Sequence, residues 1–177
     1  MSVVRRATPD DAEELIRLRQ VMIDSLFATG SAAAAESDTG WHAESLAVVR
    51  NKLADPDGDF AAFVVDRPVQ PEPSQGSGQP EPSEQSRRLA ALVVGTLDYR
   101  IGRAGNPRGV IGHVFSVATD PDQRRRGYAR AGMEALLGWF RERGAGSVEL
   151  NASAEAEPLY ASLGFVRKPD PSMRLRL

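Results

Sequence analysis

The chain has 177 residues and a formal net charge of -2, and hydrophobic residues make up 41% of it while charged residues make up 26%. This length and balance predict one globular domain with a substantial core, and the charge gives no general attraction to nucleic acid. The absence of cysteine excludes disulfides, thiolate metal sites and a cysteine nucleophile. Only two histidines occur, with no carboxylate cluster beside them, so we expect no metal site.

The first residues, Met1-Ser-Val-Val-Arg-Arg, contain no apolar signal core, and no stretch approaches about 18 apolar residues. We therefore expect a cytoplasmic protein without a membrane partner.

The N-terminal third predicts a strand, two helices and a second strand. Residues 2–6 form the first strand, and Thr8-Pro9-Asp10-Asp11 supplies the cap, proline and acidic residues of a helix start. Residues 27–40 are small and polar, which indicates a loop or a loose helix, and residues 41–54 predict a second helix. Phe60 to Asp66 is an apolar strand. The first helix has one apolar face, which predicts that this face packs in the protein core. The face consists of Leu15, Leu18, Met22 and Leu26.

Residues 67–88 differ sharply in composition, because proline, serine, glutamine and glycine dominate them. Such a segment buries little apolar area and is expected to stay flexible. Leu89 to Ile101 resumes β character, so the simplest account is a hairpin with a long connection inside one domain spanning residues 1–177. A two-domain division is less favourable, because the roughly sixty residues before the segment would make a poor domain alone. A proline-rich partner motif is the alternative to a solvated loop.

The C-terminal half predicts alternating strands and helices. The strands are Gly109–Thr119, Ser147–Asn151, Phe165–Lys168 and Ser172–Leu177, and the helices are Gly127–Arg143 and Glu155–Leu163. A helix between two neighbouring parallel strands requires a crossover, so the strands before and after the long helix should be parallel. The predicted fold class is α/β with a central mixed β-sheet flanked by helices.

The stretch from Val117 to Ala129 carries the most information about function. A strand leads into a turn at Asp120-Pro121, three arginines and Gly127 follow, and then a helix begins. Amides at a helix N-terminus lack internal partners, and the helix dipole favours an anion there. Gly127 removes the side chain that would keep a phosphate from the backbone. The stretch therefore predicts a pyrophosphate cradle, and a solvated basic helix start is the alternative.

Neither the P-loop pattern nor the G-x-G-x-x-G fingerprint occurs here. The residues present are Arg124-x-x-Gly127-x-Ala129, and about thirty residues later Leu159-Tyr160-Ala-Ser-Leu-Gly-Phe165. The first resembles the acetyl-coenzyme A signature [Q/R]-x-x-G-x-[G/A] of the GNAT acetyltransferase superfamily, and the second resembles that family's L-Y-x-x-L-G-F element. The resemblance implies the GNAT fold and a transferase, namely an acyltransferase that uses acetyl-coenzyme A to acetylate a primary amine.

The resemblance also assigns the residues that bind the cofactor. Main-chain groups of the cradle would hold the pyrophosphate, Arg124 or Arg130 the 3′-phosphate, and the strand edge at Val117 and Thr119 the pantetheine arm. Many relatives have an asparagine six residues before the motif tyrosine, where this chain has Ala154; Asn151 either substitutes for it or packs. The full set of cofactor positions is Val117, Thr119, Arg124, Arg125, Arg126, Gly127, Tyr128, Ala129, Arg130 and Asn151.

For catalysis, Tyr160 resembles the family's general acid, and a packed tyrosine with a satisfied hydroxyl is the alternative. The residues do not single out a base. His113 and Ser116 lie on the central strand and Glu149 on the next, and a water chain to bulk solvent is a further alternative. A backbone N–H near Ser116 would stabilise the oxyanion. Because no cysteine can form an acyl intermediate, direct attack in a ternary complex follows.

The acceptor is expected to be a small-molecule or peptide amine bound by the 27–41 segment, the His113–Ser116 strand and the C-terminal strands. Trp41 and His42 either line that site or serve as an anchor and a surface residue. A module that senses acyl-coenzyme A without turnover is the alternative function. Binding of nucleic acid through the arginines is disfavoured by the net charge. The protein is expected to be a monomer or a homodimer paired through residues 172–177.

Overall fold

The computed structural model describes residues 4–28, 39–68 and 88–175. They form a single domain with a five-stranded sheet flanked by helices. The strands are β1 (Val4–Arg6), β2 (Phe60–Asp66), β3 (Leu89–Tyr99), β4 (Val110–Thr119) and β5 (Ser147–Leu150), and the helices are α1 (Ala12–Ala28), α2 (Trp41–Leu53), α3 (Tyr128–Glu142) and α4 (Glu157–Ser162). Single 3₁₀ turns precede α1 and follow β4.

The sheet is mixed, and its spatial order follows the chain order from β1 to β5. The first four strands pair antiparallel, whereas β4 and β5 pair parallel. Helix α3 lies between these two strands in the chain, which confirms the predicted crossover. The predicted mixed sheet is therefore correct.

The hairpin of β2 and β3 contains the segment predicted to be flexible. Arg67 N–H donates to the carbonyl of Arg88 at 2.8 Å, so the two ends of the segment lie side by side. Most of the segment, residues 69–87, lies outside the described residues, as does most of the predicted 27–40 loop.

Each face of the sheet carries its own core. On one face α3 contributes Met133, Leu136 and Phe140, which pack on apolar residues of β3 and β4 and are fully buried. On the other face the predicted apolar stripe of α1, with Leu15 and Leu18 fully or almost fully buried, packs on β2 and β3. Hydrophobic periodicity of 3.6 residues thus identified the buried side of both helices.

The two predicted C-terminal strands are wrong. Residues 165–168 and the described part of the second segment, residues 172–175, form no strand. Phe165 packs against the α3 core, whereas Val166 and Met173 stay in solvent, 87% and 91% exposed. Pro169 and Pro171 lack the N–H donors that a ladder needs. The alternation of residue types supplied an apolar face, but no described element covers it.

Candidate active site

Strand β4 contains a β-bulge at its centre. Val94 of β3 faces Ser116, whereas the next residue of β3 faces Val114, so Phe115 is an extra residue on β4. A bulge changes which face the following side chains occupy. Before it, Val114 packs in the α3 core, and after it, Ala118 packs in the α1 core. The bulge places Phe115 and Ser116 on the same face of the sheet, towards α1.

Beyond the bulge, β4 and β5 separate. Their pairing ends at Val114 and Leu150, yet β4 continues to Thr119. Asp120 N–H donates to the carbonyl of Ala90 at 2.9 Å, on the β3 side. Successive residues of a strand direct their main-chain groups to opposite sides. The main-chain groups of Thr119 and Val117 therefore point away from β3, to the edge of β4 that β5 no longer pairs with. These are the two positions predicted to bind a pantetheine arm.

A cavity of about 950 Å³ lies where the two strands separate. It reaches both faces of the sheet, because residues of α1 and α2 line one part and residues around α4 line the other. Five of the predicted site residues come together on its wall, and they are His113, Ser116, Val117, Asn151 and Tyr160.

The predicted cradle lies outside this cavity, at the N-terminus of α3. Gly127 has φ of +80°, in the left-handed region that glycine tolerates best, and no atom lies within 4 Å of where a Cβ would stand. The first intrahelical hydrogen bond runs from Ala131 N–H to the Gly127 carbonyl at 3.0 Å. The N–H groups of Tyr128, Ala129 and Arg130 therefore precede the helix ladder and lie next to open space.

The side chains of the cradle divide into two kinds. Those of Arg124, Arg125, Arg126 and Arg130 are exposed, whereas Tyr128 is buried in a small cluster under β2 and β3. Tyr128 can thus contribute only its amide to a ligand. Two arginines brace the loop, since Arg124 donates to Ser25 Oγ of α1 at 3.0 Å and Arg130 to Ser162 Oγ of α4 at 2.5 Å.

Asp120, the residue that opens the cradle loop, is a buried anchor that the sequence indicated only as a turn residue. Its carboxylate, 6% exposed, pairs with Arg17 of α1 at 2.8 Å and with Arg67 at 3.1 Å. Arg17 also donates to the carbonyl of Leu89, at the start of β3. The loop is therefore fixed to α1, to β3 and to Arg67.

Tyr160 lies on α4 with its ring edge-on to Phe165, the two centroids 6.0 Å apart. The side chain is buried and lines the cavity. Burial disfavours the charged phenolate and raises the pKa of Tyr160 above its ordinary value. The hydroxyl consequently stays protonated at neutral pH, as a proton donor must.

The three candidate bases are not equivalent. Glu149 binds Lys168 at 2.7 Å and Arg100 at 3.6 Å, outside the cavity, and the hydrogen bond from Lys168 lowers the pKa of Glu149. Ser116 is buried and accepts a hydrogen bond from the Arg19 guanidinium, which opposes removal of a proton by Ser116. His113 lines the cavity and stacks beside Phe115, with centroids 6.5 Å apart. His113 is thus the candidate whose position suits a base best.

Among the charged and aromatic residues of the cavity wall, Arg19 was missed in the sequence, whereas Phe115 and Arg174 lie in the two segments expected to bind the acceptor. Arg19 had a signal, because it stands between Leu15 and Met22 on the apolar stripe of α1, where a charge is out of place. Its guanidinium lies over the Phe115 ring at 5.8 Å. The sequence indicated Phe115 and Arg174 only through their segments, because their exact positions depend on the bulge and on the course of the chain after α4.

The two aromatic candidates of α2 separate in the structure. Trp41 lines the cavity, whereas His42 lies in a shallow groove of about 470 Å³ between α1 and α2. There its Nε2 is 3.1 Å from Oε1 of Gln20.

The described part of the chain contains neither a metal-binding cluster nor a membrane-spanning helix. Residues 4–28, 39–68 and 88–175 contain no group of three or more histidine or carboxylate side chains that could hold a metal ion. None of the helices within these ranges is long and apolar enough to cross a membrane.

Comparisons with known proteins agree with this geometry. The model of the acetyltransferase (GNAT) family matches residues 81–165, which include β3, β4, the cradle and α4. A search of curated proteins finds no match to this chain. The matched residues, just under half of the chain, form a GNAT acetyltransferase domain, and the described residues have the fold of solved GNAT structures.

Solved structures of this fold cover nearly the whole chain. A GCN5-related N-acetyltransferase from Ralstonia eutropha JMP134 is 20% identical, with a TM-score of 0.72 and 99% of both chains covered. A protein from Clostridium acetobutylicum described as a predicted acetyltransferase, solved with acetyl-CoA, is 19% identical, with a TM-score of 0.72 and 99% and 96% of the two chains covered. An aminoglycoside N-acetyltransferase in complex with CoA is 13% identical, with a TM-score of 0.66 and 99% and 95% covered.

Proposed function

We propose that this protein is an acetyl-coenzyme A-dependent N-acetyltransferase that acetylates a primary amine by direct attack in a ternary complex. One observation supports this most strongly. The cavity at the separation of β4 and β5 joins an open strand edge, a protonated tyrosine and a histidine in one space. The GNAT domain supplies the acyl donor class, and two structural neighbours were solved with acetyl-CoA or CoA.

The residues present fit the pyrophosphate and the pantetheine arm of coenzyme A. The N–H groups of Tyr128, Ala129 and Arg130 meet a pyrophosphate at the positive end of α3. The exposed arginines beside them offset the phosphate charges. Val117 and Thr119 offer main-chain donors and acceptors to the amides of the pantetheine arm. The arm then enters the cavity near Tyr160.

Acetyl-coenzyme A supplies an activated thioester, so the reaction forms a C–N bond and breaks the C–S bond. Tyr160, protonated at neutral pH, would donate its proton to the departing sulfur. A main-chain N–H of the bulged segment, Phe115 to Val117, stabilises the developing oxyanion. An acyl-cysteine intermediate is excluded, since the chain has no cysteine.

An ammonium acceptor must lose a proton before it can attack. We assign this step to His113, directly or through a water molecule, because a histidine side chain can accept a proton and this one lines the cavity. Replacement with glutamine keeps the side-chain size and removes the base. His113→Gln should lower kcat while leaving the dissociation constant of acetyl-coenzyme A unchanged.

The decisive experiment is a calorimetric titration of acetyl-coenzyme A into the wild type and into Gly127→Glu. We expect micromolar binding to the wild type and a loss of about 100-fold or more in the variant, because glutamate brings bulk and like charge to the pyrophosphate. The matched control is Gly105→Glu. Gly105 also has a positive φ, of +83°, and open space at its Cβ, but it lies in the loop between β3 and β4.

The control separates backbone strain from ligand contact. Both substitutions strain the backbone by about 1–2 kcal/mol, so only a difference in affinity between them identifies the cradle. Wild-type protein that does not bind acetyl-coenzyme A would overturn the proposal. Binding without turnover of any amine would indicate the sensor instead.

A further inference from the structure

Three ring side chains form a row on the α1 face of the sheet. Phe60 of β2 and His113 of β4 both pair with Thr96 of β3, so these two side chains occupy the same face. Phe115 follows His113 by two residues and shares that face. Its ring centroid lies 6.2 Å from that of Phe60 and 6.5 Å from that of His113. All three rings line the cavity, so the two phenylalanines form an aromatic surface that ends at the proposed base.

Phe115 is the unusual member of this row, because 38% of it is exposed although it lies in the middle of β4. The residues before and after it, Val114 and Ser116, are buried. Arg19 lies over the Phe115 ring at 5.8 Å, so α1 covers part of the side chain and leaves the rest open. Burial of such apolar area by a ligand favours binding. The exposed part of Phe115 is thus a place for an apolar group of a ligand.

We propose that the acceptor is a primary amine joined by a short chain to an apolar ring, and that Phe115 and Phe60 bind this ring. This inference rests on the proposed acetyltransferase function and specifies its acceptor. Aromatic side chains pack favourably against a ring that lies offset or edge-on to them. Because His113 ends the row, a chain of about two or three carbon atoms, at about 1.5 Å a bond, brings the amine from the ring to the histidine.

The surroundings of this aromatic surface suit such a molecule. Met22 and Ile23 of α1 and Trp41 and Val49 of α2 line the same cavity. They offer further apolar area to a ring that packs on the sheet. The cavity volume of about 950 Å³ must also contain the end of the pantetheine arm. The remaining space therefore suits one ring with a short chain rather than a large acceptor.

The test compares two small amines that share a two-carbon chain. Phenethylamine carries a phenyl ring at the end of this chain, whereas ethanolamine carries a hydroxyl group. Release of the coenzyme A thiol is measured with a thiol reagent, to which this cysteine-free chain contributes no background. The ratio of the two kcat/KM values reports on recognition of the ring, and it is internal to each protein preparation.

Four variants locate the recognition. Phe115→Ala and Phe60→Ala remove the two rings, which stand on different strands, so one variant tests the proposal where the other does not fold. Phe115→Leu keeps an apolar side chain at the bulge. Tyr99→Ala is the matched control, because Tyr99 is an aromatic residue at the end of β3 and is 67% exposed.

We expect kcat/KM for phenethylamine to exceed that for ethanolamine by about tenfold or more in the wild type. Phe115→Ala and Phe60→Ala should each lower this ratio by about threefold or more, because the buried apolar contact is lost. Phe115→Leu should retain most of the ratio, and Tyr99→Ala should retain all of it. Affinity for acetyl-coenzyme A should stay unchanged in all four variants, since the substitutions keep the main chain of β4.

Three results would overturn the inference. Equal or better use of ethanolamine would leave the acetyltransferase in place without a site for a ring. A ratio that survives both alanine substitutions would mean that the two phenylalanines only support the fold. Turnover of neither amine by protein that binds acetyl-coenzyme A would exclude this acceptor class. Failure to bind acetyl-coenzyme A at all would reject the underlying function, which the calorimetric titration measures separately.

Discussion

The two sides of the cavity offer different chemistry to the same space. On the α3 side the proposed acyl donor would meet mostly main-chain amides and carbonyls, along the open edge of β4 and, outside the cavity, at the N-terminus of α3. On the α1 side they are side chains, with Arg19, Trp41 and Phe115 among them. Main-chain groups are available to any sequence that adopts this fold, whereas side chains differ from chain to chain. The difference suggests that the donor site belongs to the fold and the acceptor site to this protein.

Tyr160 is the exception on the α3 side, because it would act through its side chain. Tyr160→Phe should lower kcat by about 10²- to 10⁴-fold, the usual contribution of a general acid. The dissociation constant of acetyl-coenzyme A should stay unchanged, since the hydroxyl would act only on the departing sulfur. Steady-state kinetics and calorimetry measure the two quantities, with Tyr99→Phe at an exposed position as control.

The pH profile provides a second test of Tyr160. The acid form is the active one, and burial raises the pKa of Tyr160 above about 10. Activity that depends on this hydroxyl should therefore persist up to pH 10 and decline only above it. A full-rate Tyr160→Phe enzyme would leave the α3 side without any catalytic side chain and sharpen the contrast between the two sides.

Asp120 tests whether the two sides are independent, since it joins the cradle loop to α1. Asp120→Ala should lower the free energy of unfolding by about 1–3 kcal/mol, because two arginines lose charge-assisted hydrogen bonds. Affinity for acetyl-coenzyme A should fall with it. Denaturant unfolding and calorimetry are the measurements. Asp122→Ala is the control, because Asp122 binds the same Arg67 but is 54% exposed, and it should have a small effect. Unchanged affinity in Asp120→Ala would show that the cradle needs no support from α1.

Asp11 lies outside the cavity, so its substitution should change stability without changing ligand binding. It accepts hydrogen bonds from Arg5 at 2.7 and 2.8 Å and from Thr8 N–H at 2.8 Å. Burial raises the pKa of Asp11, but these bonds outweigh burial and leave that pKa below its ordinary value. Asp11→Asn should cost about 1–2 kcal/mol of stability at pH 7, without changing either ligand affinity.

The sign of the pH effect follows from the lowered pKa of Asp11. The ionised form stabilises the fold, so its contribution is complete above about pH 4 and is lost as the pH falls through the folded-state pKa. The difference in unfolding free energy between the wild type and Asp11→Asn should therefore shrink below pH 4. Asp10→Asn, at an exposed position in the same turn, is the control. A constant difference down to pH 2 would contradict this account.

The same contrast explains what the sequence could predict. Gly127 and Tyr160 stand in short local patterns that resemble the family's motifs, so the resemblance indicated them. Hydrophobic periodicity gave α1 and α3, and the order of strands and helices gave the mixed sheet. The bulge could not be predicted, because it depends on two residues of β4 facing one of β3. Arg19 reaches Ser116 across 97 residues of sequence, and no local pattern encodes such a contact. The prediction of the C-terminal strands was wrong, because an alternation of apolar and polar residues does not by itself provide a partner strand.

The gap between β4 and β5 has a consequence for the lifetime of the protein. If a pantetheine arm occupies it, the ligand serves as a short strand and joins the two parts of the sheet. The folded state then gains stability with ligand concentration, by about 2.7 kcal/mol at 100 times the dissociation constant. A cell short of coenzyme A would hold more of the protein with a bare strand edge, which favours pairing with other chains. Abundance of the enzyme would then follow the supply of its own substrate.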